Sequence, residues 1–422
     1  MHKSPGKWIA AAVLLGSTTA HAVPIYESDQ VTLYMQGYFS VNQINVNGDT
    51  RLQDGVSRIR FSLSVPAYYQ WDVGFNVEWG INAISTARPV EISGNQQAAV
   101  GDAGDTLYIR HGHIFAKHDL WGDFAFGKQW SVYYDVASYT DWYEISGGLG
   151  SGAFSLGSDG GITGTGRADG ALSWRKEWDG LGGELQFGVQ YQAHTSPFVI
   201  SVEDVIGEDL LVECPDTDCE FGISHGVSLQ YRADIGEGLT FGTAYNRVKL
   251  DLETSRGIVT DISDPFDPVV IDTNFPINAS SNIWSLIAGV NYGRGPYQPG
   301  FYGAAVVQKS QNNDLAPPGS VEGITNFFDA IGSESLFTYT WGARNCYSFY
   351  FGHNDLHSND PGFEEALIDA DEVRLTKYYI GFKYNWDERI HIYTENTIDN
   401  SNSLGRALTA GDVIAVGMRV DI

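Results

Sequence analysis

Few residues of this 422-residue chain are arranged for bond-making chemistry. His353 and His391 could act as bases, but no nucleophile motif such as Gly-x-Ser-x-Gly accompanies them, so a hydrolase lacks its second member. Arg110-His111-Gly112-His113 offers two imidazoles with no carboxylate partner at hand, which is thin for a metal site. Cys214 and Cys219, in Cys-Pro-Asp-Thr-Asp-Cys, suit a loop disulfide in an oxidising compartment, and Cys346 reads as a small buried residue on a strand. The stretch Val132–Gly164 differs in kind. Trp130, Tyr133, Tyr134, Tyr139, Trp142 and Tyr143 lie at or near its start, with Asp135, Asp141 and Glu144 among them. Aromatics this dense on a connection call for packing against a wall, which folds the segment inward and carries its acids into an interior. The chemistry on offer is electrostatic, and no cofactor is implied.

Composition favours a β protein. Glycine supplies 49 residues and aromatics 13%, while Met and Cys number three each, a poor fit to a helical bundle. Twenty-five basic against 52 acidic residues give a formal charge of −27, which excludes nucleic acid as a partner and leaves cations as candidates. Lys3 and Lys7, the apolar Trp8–Leu15 and the small-x-small Ala20-His21-Ala22 form a cleaved export signal over residues 1–22. Its loss removes two lysines and no acid, taking the mature chain, a single domain over 23–422, to −29. The apolar run of about eight residues is too short for a spanning helix, and no other segment comes near one, so any membrane crossing must use strands.

Those strands are legible as period-two alternation. Trp71, Val73, Phe75, Val77, Trp79 and Ile81 alternate with Asp72, Gly74, Asn76, Glu78, Gly80 and Asn82, giving one apolar and one wet face. Soluble strands usually run about 5–6 residues, whereas a tilted membrane strand needs roughly 9–11. Sixteen such segments are predicted, near 31–43, 56–66, 70–82, 106–117, 122–131, 165–178, 182–194, 222–234, 238–251, 281–293, 299–310, 334–342, 345–355, 373–386, 388–400 and 410–422. Connections alternate between brief ones, such as Ala67–Tyr69 and Ile235–Glu237, and long ones, such as 83–105, 195–221, 252–280 and 311–333. The expected fold is therefore all-β: a 16-stranded antiparallel transmembrane barrel, its water-filled interior partly occupied by the segment of about 132–164 after the fifth strand.

Gly127-Lys128-Gln129-Trp130-Ser131-Val132-Tyr133-Tyr134-Asp135, followed by Ser138-Tyr139-Thr140-Asp141, closely resembles the start of the constriction loop of the trimeric general porins of Gram-negative bacteria. Val31-Thr32-Leu33-Tyr34, Gly164-Thr165-Gly166-Arg167 and Ile414-Ala415-Val416-Gly417 are similar in order and spacing. The resemblance implies a wall of arginines facing carboxylates on the loop. Arg60 matches the second-strand arginine, Arg110 the fourth-strand one and Arg167 the one just after the loop, while Asp141 and Glu144 resemble the loop acids. The loop is one residue shorter here and lacks the usual proline, and Gln36 stands where the family often has a basic residue. Ile422 replaces its usual terminal aromatic. Alternation independently puts Arg58 and Arg60 on one face with Ser62 and Ser64, opposite Phe61 and Leu63. The same rule, applied with Arg110 inward, turns His111 and His113 outward, which requires either a subunit contact or a slip of register.

Opposite charges about 8 Å apart across a gap are worth about 2 kcal/mol at an effective dielectric near 20 and about 0.5 in bulk water, enough to orient dipolar solutes. The implied function is passive diffusion of small hydrophilic solutes and ions across an outer membrane, mildly cation-preferring, by a homotrimer in contact with outer-membrane lipid and lipopolysaccharide. The acidic stretches Glu203–Glu220, Asp261–Asp272 and Glu364–Glu372 suit either solvated outer loops or divalent-cation bridges to lipopolysaccharide phosphates. The alternatives are a sugar-specific channel using Trp130, Trp142 and Tyr143 as an aromatic track, an outer-membrane hydrolase, and a secreted glycan-binding β-protein.

Overall fold

Apolar–polar alternation closes the chain into a wall with two unlike faces. A computed structural model describes residues 22–84, 106–154, 159–193, 198–206, 210–261, 269–315, 327–359 and 373–422, and side chains over the same residues except 198–221, 250–281, 314–315, 327–328, 404, 407 and 408. The export signal expected over 1–22 thus falls, but for Ala22, outside the described residues. The wall strands are β1 (Thr32–Val46), β2 (Arg58–Pro66), β3 (Asp72–Ile81), β4 (Leu107–His118), β5 (Gly122–Trp130), β6 (Arg167–Gly180), β7 (Gly183–Gln192) and β8 (Leu210–Ala233). They continue as β9 (Leu239–Asp261), β10 (Val269–Tyr292), β11 (Gly300–Leu315), β12 (Phe327–Trp341), β13 (Tyr347–Ser358), β14 (Arg374–Asn385), β15 (Ile390–Asp399) and β16 (Val413–Asp421). Each pairs antiparallel with the next, and β16 returns to β1 from Val413↔Val46 to Asp421↔Tyr38. Sixteen strands form a closed cylinder, which leaves the wall with no open edge.

Among the described residues, three shorter strands decorate this ring: Val23–Glu27 beside the start of β1, Asp49–Asp54 along its far end, and Phe198–Ile206 against the first half of β8. Much of 195–221 and 252–280, expected as loop, is backbone ladder prolonging β8, β9 and β10. Hydrophobic patterning marks where a strand contacts an apolar surround and is silent about ladders that run on past it. Cys214 and Cys219 both fall on β8, and their side chains, like those of the acidic residues of 203–220 and 261–272, are outside the described ones; 364–372 lie outside the described residues altogether.

Outward rows are apolar. On β16, Ile414, Val416, Met418 and Val420 face out while Val413, Ala415, Gly417, Arg419 and Asp421 face in, and the Ile422 amide closes the seam on the Gly37 carbonyl at 2.9 Å. Large outward rings gather near the short-turn rim, where Trp341 and Tyr347 lie 5.8 Å apart and Tyr347 and Tyr384 5.5 Å. This is the aromatic girdle placement of strands that cross a bilayer.

The main buried core is inside the cylinder, beneath the segment after β5. Tyr133, Tyr134, Val136, Tyr139 and Phe154 pack on Ile287, Tyr302, Val306, Leu336 and Tyr350 of the wall. Glycines make the approach: a Cβ at Gly242 or Gly352 would run into the rings of Tyr139 and Tyr143. At Gly242 and Gly352 the inward positions carry no side chain because the rings of the segment lie against them.

Candidate functional site

The interior segment begins at Val132, whose amide donates to Gln190 Oε1 at 3.2 Å, and turns through the short helix α1 (Tyr134–Ala137). Trp130 stacks on Tyr134 at 3.8 Å between centroids, and the Tyr134 hydroxyl donates to Asp141. From there the path can be followed by its hydrogen bonds. Asp135 meets Arg175 Nε at 2.9 Å and Ser228 at 3.1 Å, Tyr302 donates to the Tyr139 carbonyl at 2.7 Å, and Tyr143 donates to the Ser335 carbonyl at 2.6 Å. The Glu144 amide then donates to Glu395 Oε2 at 2.8 Å, and Ser146 meets Thr397 at 3.0 Å. The return limb is held by Glu334 on the Gly148 amide, by Asn313 on the Gly152 carbonyl and by Gln192 on the Gly161 carbonyl. The segment is therefore hydrogen-bonded along the inner wall from β6 to β15 and back, and its Ile145 packs on Ile44 of β1 and on Val413 and Ala415 of β16, while these bonds and this packing do not reach β2–β4.

On the side of β2–β4 stands the basic cluster. Arg58, Arg60 and Arg110 all point to one carboxylate, Glu78 of β3, at 3.9, 2.6 and 2.8 Å. Gln36 sits opposite Arg60 in the β1–β2 ladder. Arg58 and Arg419 lie over the ring of Tyr38, at 4.7 and 3.7 Å, so the positive row continues onto β16. Arg110 is 1% exposed.

Its placement settles the register. Glu78 pairs with His111 and Trp79 with Ile109, so Arg110 is the extra residue of a β-bulge and both Arg110 and His111 turn inward. The outward direction that uninterrupted alternation assigns to His111 and His113 is thereby corrected. His111 lies 5.0 Å from the Trp130 ring, and His113 bonds Asn76 at 3.0 Å and the Lys128 carbonyl at 3.2 Å. Neither imidazole belongs to a metal-ligand group among the described residues.

Arg167 opens β6, lies over Trp130 at 5.5 Å and reaches Asp159 Oδ2 at 3.5 Å, where Lys128 joins at 2.8 Å. Burial works against the charge of Asp159, but Arg167 and Lys128 outweigh it and hold the carboxyl below the usual aspartate range. Glu144 meets Lys383 of β14 at 2.7 Å, with the two side chains 8% and 1% exposed. Burial again opposes ionisation, and the Lys383 ammonium and Arg419 guanidinium override it, lowering the Glu144 carboxyl. Thus the structure brings Arg58, Arg60 and Arg110 together on Glu78, seats Arg167 on Asp159, and gives Asp141 and Glu144 partners in Tyr134 and Lys383.

Glu78, Asp159, Lys383 and Arg419 were not singled out from sequence. Glu78 alone had a usable signal, its place on the wet face of β3 across the ladder from Arg60. His391 has both ring nitrogens committed, to Asn385 Oδ1 at 2.8 Å and Asp421 Oδ2 at 2.6 Å, so no base is left for a nucleophile.

A closed cylinder of sixteen strands, an inward segment and a charged interior now have a counterpart among known proteins: residues 9–403 match the family model described as Gram-negative porin. The chain belongs to the Gram-negative porins. Among curated relatives, outer membrane protein S2 of Salmonella typhi is 24% identical over 431 residues, covering 96% of each chain. Among solved structures, Salmonella typhi OmpF in complex with daunomycin aligns with a TM-score of 0.62 and 16% identity, covering 95% of this chain and 100% of that one. The trimer form of OmpT of Vibrio cholerae aligns at 0.54 and 14%, covering 93% and 100%. This porin is an outer-membrane channel protein and not an enzyme, so the hydrolase and secreted-lectin alternatives fall away.

Proposed function

We propose that the lumen of this porin is a passive path for small hydrophilic solutes and ions, narrowed by the Val132–Gly164 segment and mildly cation-preferring. The observation that carries the reading is the split of the interior. The segment and its carboxylates are fastened along β6–β15, while Arg58 and Arg60 stand partly exposed on the other side with Arg110 and Arg419 buried beside them. A gap between such sides carries a transverse field, which favours dipolar and charged solutes over apolar ones. Arg60, Arg110, Arg167, Arg58, Asp141, Glu144 and Gln36 are taken as the residues around that gap. Cation preference is supported by the net charge, by the absence of a base at Gln36 and by Glu78, which offsets the arginines from behind.

An aromatic sugar track fits less well. Trp130 is covered by Tyr134, and Tyr143 packs 4.6 Å from Tyr379 with its hydroxyl engaged, so these rings fasten the segment to the wall. We further propose a homotrimer, since OmpT is solved in a trimer form, with Leu33, Met35, Ile59 and Phe61 among the outward residues of the contacting strands. Divalent cations would link the acidic outer stretches to lipopolysaccharide, a bond that chelators should weaken.

Planar-bilayer recording of the detergent-purified protein tests the reading. Insertions should come as triplets of equal conductance steps, with reversal potentials in a salt gradient on the cation side. A reversal potential on the anion side overturns the selectivity, and solute-blockable conductance by sugars favours the specific channel.

A further inference from the structure

At the short-turn rim the interior segment overhangs a recess of about 270 Å3 between its underside and the inner faces of β7–β11. Its size is just below the ~300–1,000 Å3 of sites for drug-sized ligands, which suits a small solute. We propose that this recess is a binding subsite for small zwitterions of the amino-acid type, preferring those with a flat apolar side chain. The inference rests on the reading of the lumen as an open aqueous path.

Three observations converge. First, Glu184 and Arg232 both line the recess and are direct partners in the β7–β8 ladder, yet no ion pair joins them among the described residues. A carboxylate and a guanidinium held side by side and unjoined present the two halves of an ammonium–carboxylate recognition site. The neighbouring charges are already used: Asp135 is taken by Arg175 and Ser228, and Arg294 by Glu237.

Second, most of the neutral polar groups on the segment side of the recess are spent. Gln230 donates to Gln186 at 2.7 Å and accepts from the Tyr139 hydroxyl at 2.5 Å, the Tyr302 hydroxyl is on the Tyr139 carbonyl, and the Trp142 indole donates to the Ser138 carbonyl at 2.8 Å. Thr240 and Asn291, partners in the β9–β10 ladder, keep neutral groups that a sugar could also use, so the Glu184 and Arg232 charges are what favours a zwitterion and glucose is the control that separates the two. Third, with their polar edges engaged, Tyr139, Trp142 and Tyr302 can offer a ligand only their apolar surface, which favours an aromatic or other flat side chain.

The test uses the whole porin in a planar bilayer with L-phenylalanine added on the short-turn side. Phenylalanine should cause brief current interruptions. N-acetyl-L-phenylalanine and L-phenylalaninamide, each lacking one charge, should bind roughly threefold more weakly, the size of a partly exposed charge pair. Glu184→Gln should weaken phenylalanine by a similar factor while leaving N-acetyl-L-phenylalanine unchanged, and Arg232→Gln should weaken phenylalanine likewise while leaving L-phenylalaninamide unchanged. Equal interruption by all three compounds, interruption only by glucose, or none in a conducting channel would overturn the proposal. A bilayer that never conducts would count against the channel reading instead. Line broadening of phenylalanine NMR signals by detergent-solubilised porin then decides the subsite without any current, with no broadening refuting it.

Discussion

Glu78 is the residue on which the electrostatics of the open side turn, and replacing it with glutamine changes charge at nearly constant volume. In the structure it receives Arg60 at 2.6 Å, Arg110 at 2.8 Å and Arg58 at 3.9 Å. Three cations on one anion leave a surplus of two, and Glu78→Gln makes it three. An ion passing about 8 Å away feels one added unit charge as about 0.5 kcal/mol when solvent screens the interaction and more as the effective dielectric falls. A cation is disfavoured and an anion favoured by that amount, so the permeability ratio should move toward anions by roughly fivefold. Reversal potentials in a potassium chloride gradient read this directly. Arg60→Gln introduced into the same background removes one positive charge and should return the ratio toward the parent value. A ratio unmoved by Glu78→Gln, or a double variant no closer to the parent than the single one, would refute the placement of this cluster beside the ion path.

The buried Glu144–Lys383 pair makes a separate prediction. Lys383→Met leaves a buried carboxylate with its ammonium removed and should cost about 3–5 kcal/mol, whereas adding Glu144→Gln should recover most of the loss. Unfolding of the detergent-solubilised protein followed by tryptophan fluorescence measures the cycle, and additive single effects would contradict a coupled pair. Acid should act on the segment in a defined direction. Asp159 and Glu144 have folded-state carboxyl pKa values below their ordinary ones, so their stabilisation is complete above the unfolded values of about 3.9 and 4.3 and is lost as pH falls through the folded ones. Unfolding temperature should therefore drop below about pH 4, less so in an Asp159→Asn, Glu144→Gln variant, and equal acid sensitivity of the two proteins would speak against this linkage.

Much of this architecture is written in local pattern. All sixteen wall strands were recognisable because one face of each meets an apolar surround, and that requirement repeats every second residue. Arg60 could be turned inward on the same ground. Arg110 could not be placed cleanly, since a bulge inserts one residue and inverts every later direction on the strand, and nothing in Ile109-Arg110-His111 announces it. Glu144 and Lys383 are 239 positions apart, and the Glu144 amide and Glu395 are 251 apart. Alternation says which face such residues occupy and is silent about who meets whom across the interior. The ladders of β8–β10 beyond the expected strand ends escaped notice for a related reason, because backbone pairing alone leaves no hydrophobic signature.

The fastening of the interior segment to β14 and β15 also bears on biogenesis. Its anchors, Lys383, Glu395 and Thr397, leave the ribosome some 240 residues after the segment itself. Until those strands have joined the cylinder, the amides of Glu144 and Ile145 lack their acceptor, Glu395 of β15. The stretch around Glu144 consequently reaches its final seat only once β14 and β15 are in place, whereas Asp135–Tyr143 can already rest on β6–β12.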